Sequence, residues 1–230
     1  MKGKNSEVVL AVETLALLPH AVVRGGEPLI SWGLAEEEEP DPLRMRLAPL
    51  TARLLALALL NPHTERGRIW YEHPGGVPGA TEDGRFELIP GCEAALLDGF
   101  WRAIAPFGRI ITFNGRFFLC PFIMLRSALL GIPPARNLLP YRFSAGEHCD
   151  LLDQLTFYGA TKRFPLEAYC RGFGIAPPGG AAGRPEISSL VERGMYREVA
   201  DLAAQTCRAV ADLYRLWRRL FALSGGSGGA

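Results

Sequence analysis

The apolar run RIITF at 109–113 stops at Asn114-Gly115, and a helix-like stretch over 121–130 follows, ending at Gly131 ahead of Pro133-Pro134. Branched apolar residues favour an extended strand, while the glycine and prolines mark a helix end. A strand passing so quickly into a helix is a β–turn–α unit. Its helix has an apolar side that must be buried against a sheet. The unit therefore predicts an α/β fold, with a mixed or largely parallel central sheet flanked by helices.

The rest of the chain can be read around that unit. EVVLAV at 7–12 reads as a strand. RLLALALL at 53–60 fits a strand or a helix by periodicity, but NPHTERG then turns the chain and RIWYE at 68–72 is a strand. A hairpin over 54–72 is the preferred reading, with a loop at 73–84. GCEAALLDGFWRAIA at 91–105 places Leu96, Leu97, Phe100, Trp101 and Ile104 at helical spacing. Further helices are expected from Asp150 to before Gly159, over 165–174, over 186–193 and over 196–223, the last as one helix or two end to end. The segment 175–185 reads as a loop, and AEEEEPDP at 35–42 as a solvated loop holding Glu36–Glu39. Residues 1–223 read as a single domain and 224–230 as a flexible Gly/Ser tail.

Composition narrows the function classes. With 25 basic and 24 acidic residues, the chain is neither a charged disordered polymer nor a grossly basic nucleic-acid tail. Only Lys2, Lys4 and Lys162 are lysines; the remaining basic charge is arginine, which suits phosphate contacts and also fits a simple compositional bias. No apolar run is long enough for a membrane span. The five cysteines form no C-x-x-C pair, and the first residues lack a signal-peptide cleavage pattern, so a reducing, cytoplasmic location is expected.

TFNGRFFLCP at 112–121 is the most distinctive segment. ALLNPHTERGRIWYE at 58–72, Glu93 through Trp101, LRSALLGIPP at 125–134, HCDLLDQLTFYGA at 148–160 and CR-x-FGI at 170–175 accompany it. Together, over about residues 7–221, they resemble the predicted 3'-5' exonucleases related to the exonuclease domain of family B DNA polymerases. The resemblance implies a ribonuclease H-like fold and four acidic residues holding two Mg²⁺ or Mn²⁺ ions. Such a pair positions a water and stabilises the attacking and leaving oxygens of a phosphodiester. Hard cations of this kind require carboxylate oxygens.

The chain departs from that pattern at every motif. In place of Asp-x-Glu it has Ala11-Val12-Glu13. In place of Asn-x-x-x-Phe-Asp it has Asn114, Phe118 and then Leu119. In place of Tyr-x-x-x-Asp it has Thr206 and Val210. Only Glu13 survives, either facing water or paired with an arginine. Asp212 lies about 200° round a helix from Val210 and cannot replace it. Cys120 points away if the strand continues, and Cys149 with Cys207 offers no zinc spacing. No cofactor is expected, with Mg²⁺ or Mn²⁺ only if the protein is active. The main expectation is a degenerate exonuclease that binds single-stranded DNA or RNA. An active enzyme with atypical ligands and a protein-interaction scaffold are the alternatives.

Other residues carry paired readings. Asn114 and Gly115 either contact a terminal nucleotide or shape the turn, with Gly115 allowing close approach or positive φ. Arg116 reads as an exposed phosphate contact. Phe117 and Phe118 read as core, although the family resemblance allows an apolar wedge. His148 is a general base or a framework residue. Asp150 and Asp153 border the cleft, with Asp150 read first as a helix cap. Arg208, Arg215 and Arg219 share a helical stripe that could follow a phosphate backbone or remain solvated beside Arg218. Trp70, Trp101, Phe157, Tyr158 and Trp217 are expected in the core.

Overall fold

The computed structural model describes residues 6–17, 48–143 and 145–221. The expected acidic loop at 35–42 and the Gly/Ser tail lie outside the described residues. Strand β1 (Glu7–Ala16) runs through the middle of the sheet. β2 (Ala52–Leu60) and β3 (Gly67–Glu72) form the expected antiparallel hairpin beside it. β4 (Gly79–Ala80) and β5 (Phe86–Gly91) follow, then helix α1 (Glu93–Ile104), β6 (Arg109–Thr112), a π-helical turn (Gly115–Leu119) and α2 (Cys120–Leu129). β7 (His148–Asp150), α3 (Leu151–Leu155), α4 (Leu166–Gly172), α5 (Ile187–Glu192) and the long α6 (Tyr196–Leu220) complete the chain.

Among the described residues the sheet has seven strands in the order β4-β5-β3-β2-β1-β6-β7. β6 runs parallel to β1 and β7 parallel to β6, whereas β2 is antiparallel to β1, so the sheet is mixed. Alternation along β1 feeds two cores. Val8, Leu10 and Val12 pack with Leu97, Phe100 and Ile104 of α1 and Phe122 and Ile123 of α2. Val9 and Ala11 pack on the other face with Ala203, Cys207, Val210 and Tyr214 of α6. Helices on both faces of a mixed sheet meet the ribonuclease H-like expectation. No helix among the described residues is long and apolar enough to cross a membrane.

Three local expectations need correction. The segment 73–84 is not wholly loop, because Gly79–Ala80 pairs with β5 at the sheet edge. The parallel strands β5 and β7 carry too little alternation to stand out in the sequence. Residues 119–120 do not extend a strand: the Cys120 amide donates to the Gly115 carbonyl five residues back, closing a π-helical turn. Finally, Phe157 is 61% exposed rather than in the core, at the surface end of α3.

Candidate functional site

The site begins where two neighbouring strands part. β1 and β6 pair only from Glu7–Arg109 to Val9–Ile111. Beyond that, β6 leaves the sheet through Asn114, and β1 continues with one side open. Glu13 pairs with Ala56 and Thr14 with Leu54, so Leu55 is an extra residue on β2, a bulge beside Glu13. The opening is a pocket of about 280 Å³, lined among others by Ala11, Glu13, Asn114, Leu119, Thr206 and Val210. Residues far apart in sequence, singled out by the family resemblance, thus meet in one cleft.

Period and helix geometry explain the convergence. Ala11 and Glu13, two apart on a strand, share a face. Thr206 and Val210, four apart on α6, also share a face. In the π-helical turn the repeat is wider than in an α-helix, which brings Phe118 and Leu119 to the same side as Asn114. Leu119 packs with the α1–α2 core, whereas Ala11 and Val210 belong to the α6 core. The cleft is the seam between the two cores.

Its chemistry is largely apolar. Leu10, Val12, Phe113, Phe118 and Leu166 form walls around it. Glu13 is buried, and its carboxylate accepts a hydrogen bond from Arg184 Nη2. Arg184 Nη1 also lies 3.5 Å from the Thr206 hydroxyl, which in turn is 3.4 Å from Glu13 Oε1. Glu167 supplies a second carboxylate at the rim. Neither Arg184 nor Glu167 was singled out by the sequence. Arg184 lies in a glycine-rich loop with no spacing that announces a role, and Glu167 looks like an ordinary first-turn acid of α4. The Asn114 side-chain carbonyl is buried without a hydrogen-bond partner.

A carboxylate outside the pocket holds this turn in place. Asp150 Oδ1 accepts from the Asn114 amide at 2.8 Å and the Leu152 amide at 3.1 Å, while Oδ2 accepts from the Arg116 amide at 2.8 Å. Asp150 therefore caps α3, as expected, and also fixes the exit of β6. Burial pushes its carboxyl above the usual range, against the hydrogen bond from the Arg116 amide, and the nearby charge of Asp153 adds to the rise. Asn114, rather than Gly115, is left-handed, with φ 57°. Gly115 serves the close approach: a Cβ there would lie 2.1 Å from Thr112 Oγ1.

The remaining candidates are dispersed. His148 is buried in β7, with Nε2 2.8 Å from the Thr112 hydroxyl, which is a framework placement. Burial, reinforced by the positive charge of Arg116, lowers its pKa to about 3. Arg116 is half-buried rather than exposed, because its guanidinium donates to the Pro140 and Tyr141 carbonyls at 2.8 and 3.3 Å. Phe117 is exposed, correcting the core assignment, since the π-helical turn directs it away from Leu119 and the sheet. Asp153 is buried and paired with Arg142 and Arg163.

Arg208 lies outside the cleft and pairs with Asp83, while Arg215 pairs with Glu65 and Asp212. Arg208 and Arg215 line a separate depression with Arg85. The stripe on α6 is thus largely matched by acids. Cys120, Cys149 and Cys207 are buried, and burial raises each thiol above its ordinary range. They do not supply ready thiolates. Among the described residues no group of three or more His, Cys, Asp and Glu side chains is placed to hold a metal ion.

The description "Predicted 3'-5' exonuclease related to the exonuclease domain of PolB" belongs to the family model that matches residues 82–227, more than half of the chain. The match includes the turn at Asn114, the cap at Asp150 and the α6 positions Thr206 and Val210; β1 precedes it. No curated protein matches the chain. The mixed sheet with helices on both faces agrees with this match, and the chain belongs to the family of predicted 3'-5' exonucleases related to the exonuclease domain of PolB.

Proposed function

We propose that this chain is a degenerate, catalytically inactive exonuclease-type protein, which holds the end of single-stranded DNA or RNA in its cleft without cutting it. The donor set of the cleft carries this reading. Two-metal hydrolysis needs several carboxylate oxygens around two hard cations. Ala11, Leu119 and Val210 supply none at the motif positions, and the Glu13 carboxylate is held by Arg184. The residues present do not fit a pair of Mg²⁺ or Mn²⁺ ions.

The same substitutions suit binding without metals. A cleft with four uncompensated carboxylates would repel a phosphodiester. Here the lining carboxylates are Glu13 and Glu167, and Arg184 pairs with Glu13. Phe113 and Phe118 can pack on a base, and the unpaired Asn114 carbonyl can accept from an exocyclic amine. The test incubates purified protein with a 3'-labelled single strand and Mg²⁺ or Mn²⁺. The expected result is salt-dependent binding with the strand intact. Mn²⁺-dependent nucleotide release that Glu13→Gln abolishes would overturn the proposal.

A further inference from the structure

Outside the cleft, one part of the surface gathers exposed aromatic rings. Phe117 is 57% exposed, Tyr141 74% and Phe143 57%. The Tyr141 and Phe143 rings meet edge-on at 5.6 Å, and Phe143 meets Tyr158 at 4.9 Å. The Arg163 guanidinium lies 4.3 Å from the Phe117 ring centre, and that of Arg142 lies 5.2 Å away. Both arginines are anchored from beneath by buried Asp153, at 3.0 Å each. Lys162 lies 5.4 Å from the Phe164 ring. A second row of rings leads to the pocket: Phe164 contacts Tyr169, and Tyr169 contacts Phe113, which lines the cleft.

The backbone holds part of this surface in a strained form. Phe157 and Tyr158 are consecutive left-handed residues, with φ 49° and 59°, a costly state for aromatic side chains. The Tyr158 hydroxyl accepts from Gln154 Nε2 at 2.9 Å, which fixes the turn. Arg142 and Arg163 share one buried carboxylate, Asp153, and Lys162 stands over the Phe164 ring, so guanidinium and ammonium charge lies beside the exposed rings.

Flat rings beside cations match one class of partner particularly well. Bases stack on aromatic faces while phosphates meet the positive charge, and the stacking tolerates any base. A duplex hides its base faces. An apolar protein face would cover the cations without neutralising them. We infer that this aromatic–arginine ridge is a platform for a single-stranded polynucleotide, carrying the strand whose end enters the cleft. The inference rests on the cleft reading for the strand's direction, whereas the platform itself can be tested separately.

The probes are labelled oligo-dT and oligo-rU of about twelve nucleotides, within the usual range of single-strand sites. Anisotropy is measured at two salt concentrations for the native chain, for the ridge variant Phe117→Ala/Phe143→Ala, and for a cleft-filling Thr206→Phe. Losing two stacking faces should weaken binding about 30-fold, taking the low end for each ring. Phe117→Trp/Phe143→Trp should restore near-native affinity, which loss of folding would not allow. Lys162→Glu should reduce the salt slope by about one. Native binding that the alanine ridge variant leaves unchanged overturns the platform and leaves the cleft reading intact. Loss in the ridge variant with full affinity in Thr206→Phe upholds the platform and overturns the cleft. No binding by the native chain, even at low salt, overturns both. A ridge variant that keeps its affinity but turns a dimer into a monomer on sedimentation also overturns the platform, in favour of a protein interface.

Discussion

Arg184→Ala tests how Glu13 is held. The Glu13 side chain is 1% exposed and that of Arg184 29%, so removing the guanidinium takes a salt-bridge partner from a poorly solvated carboxylate. Breaking a buried pair from one side costs ~3–5 kcal/mol; Arg184's partial exposure puts the figure near the bottom of that range, about 3 kcal/mol. The Thr206 hydroxyl at 3.4 Å is too distant to take over fully. Glu13→Gln/Arg184→Ala also removes the charge and should cost only about 1 kcal/mol, about 2 kcal/mol less than the single variant. Urea unfolding, followed by tryptophan fluorescence, measures both. With a slope of about 2–3 kcal/mol per molar, the single variant should lose about 1–1.5 M in midpoint, and the second substitution should recover most of it. Equal midpoints for the single and double variants would refute the reasoning, because Glu13 would not then depend on Arg184 for its charge. On the proposed reading, Arg184→Ala should release no nucleotide with Mn²⁺, since Leu119 and Val210 still provide no side-chain ligands.

Two further predictions concern the frame behind the cleft. Gly115→Ala would place a Cβ 2.5 Å from Thr112 Cβ, so the β6 exit must shift, costing about 2 kcal/mol and lowering the melting temperature by roughly 4–8 °C; a melt within experimental error of the native protein would contradict this. His148 has its folded pKa lowered to about 3 by burial, so between that value and about 6.5 the unfolded chain binds the extra proton and stability falls as pH falls, by about 1.4 kcal/mol per pH unit at most. His148→Gln should flatten that acid limb in urea midpoints measured from neutral to mildly acidic pH, and parallel curves for variant and native protein would disprove it.

How much of this was legible depends on range. A strand's period of two and a helix's spacing of three and four are local, so β1, the β2–β3 hairpin, the face of α1 and the span of α6 could be read from neighbours in the chain. The family resemblance singled out Ala11, Glu13, Thr206 and Val210, and the same local periods put Ala11 with Glu13 and Thr206 with Val210 on one face. β7 is three residues long, too short for a period to register, and its place in the sheet depends on β6. The π-helical turn adds one residue to a repeat, which shifts Phe117 outward although its composition suits a core.

The amino-acid order alone fixes that the side chains of Ala11, Leu119 and Val210 carry no oxygen ligand in any fold. It does not settle what becomes of the gap. Arg184 reaches Glu13 across 171 residues, and Asp150 holds the amides of Asn114 and Arg116 from the next strand. Such contacts leave no local periodicity, because they form only where packing brings distant segments together. The near balance of charge across the chain likewise says nothing of where charge lies. Packing matches the arginines of α6 with acids and gathers Arg142, Lys162 and Arg163 among exposed rings.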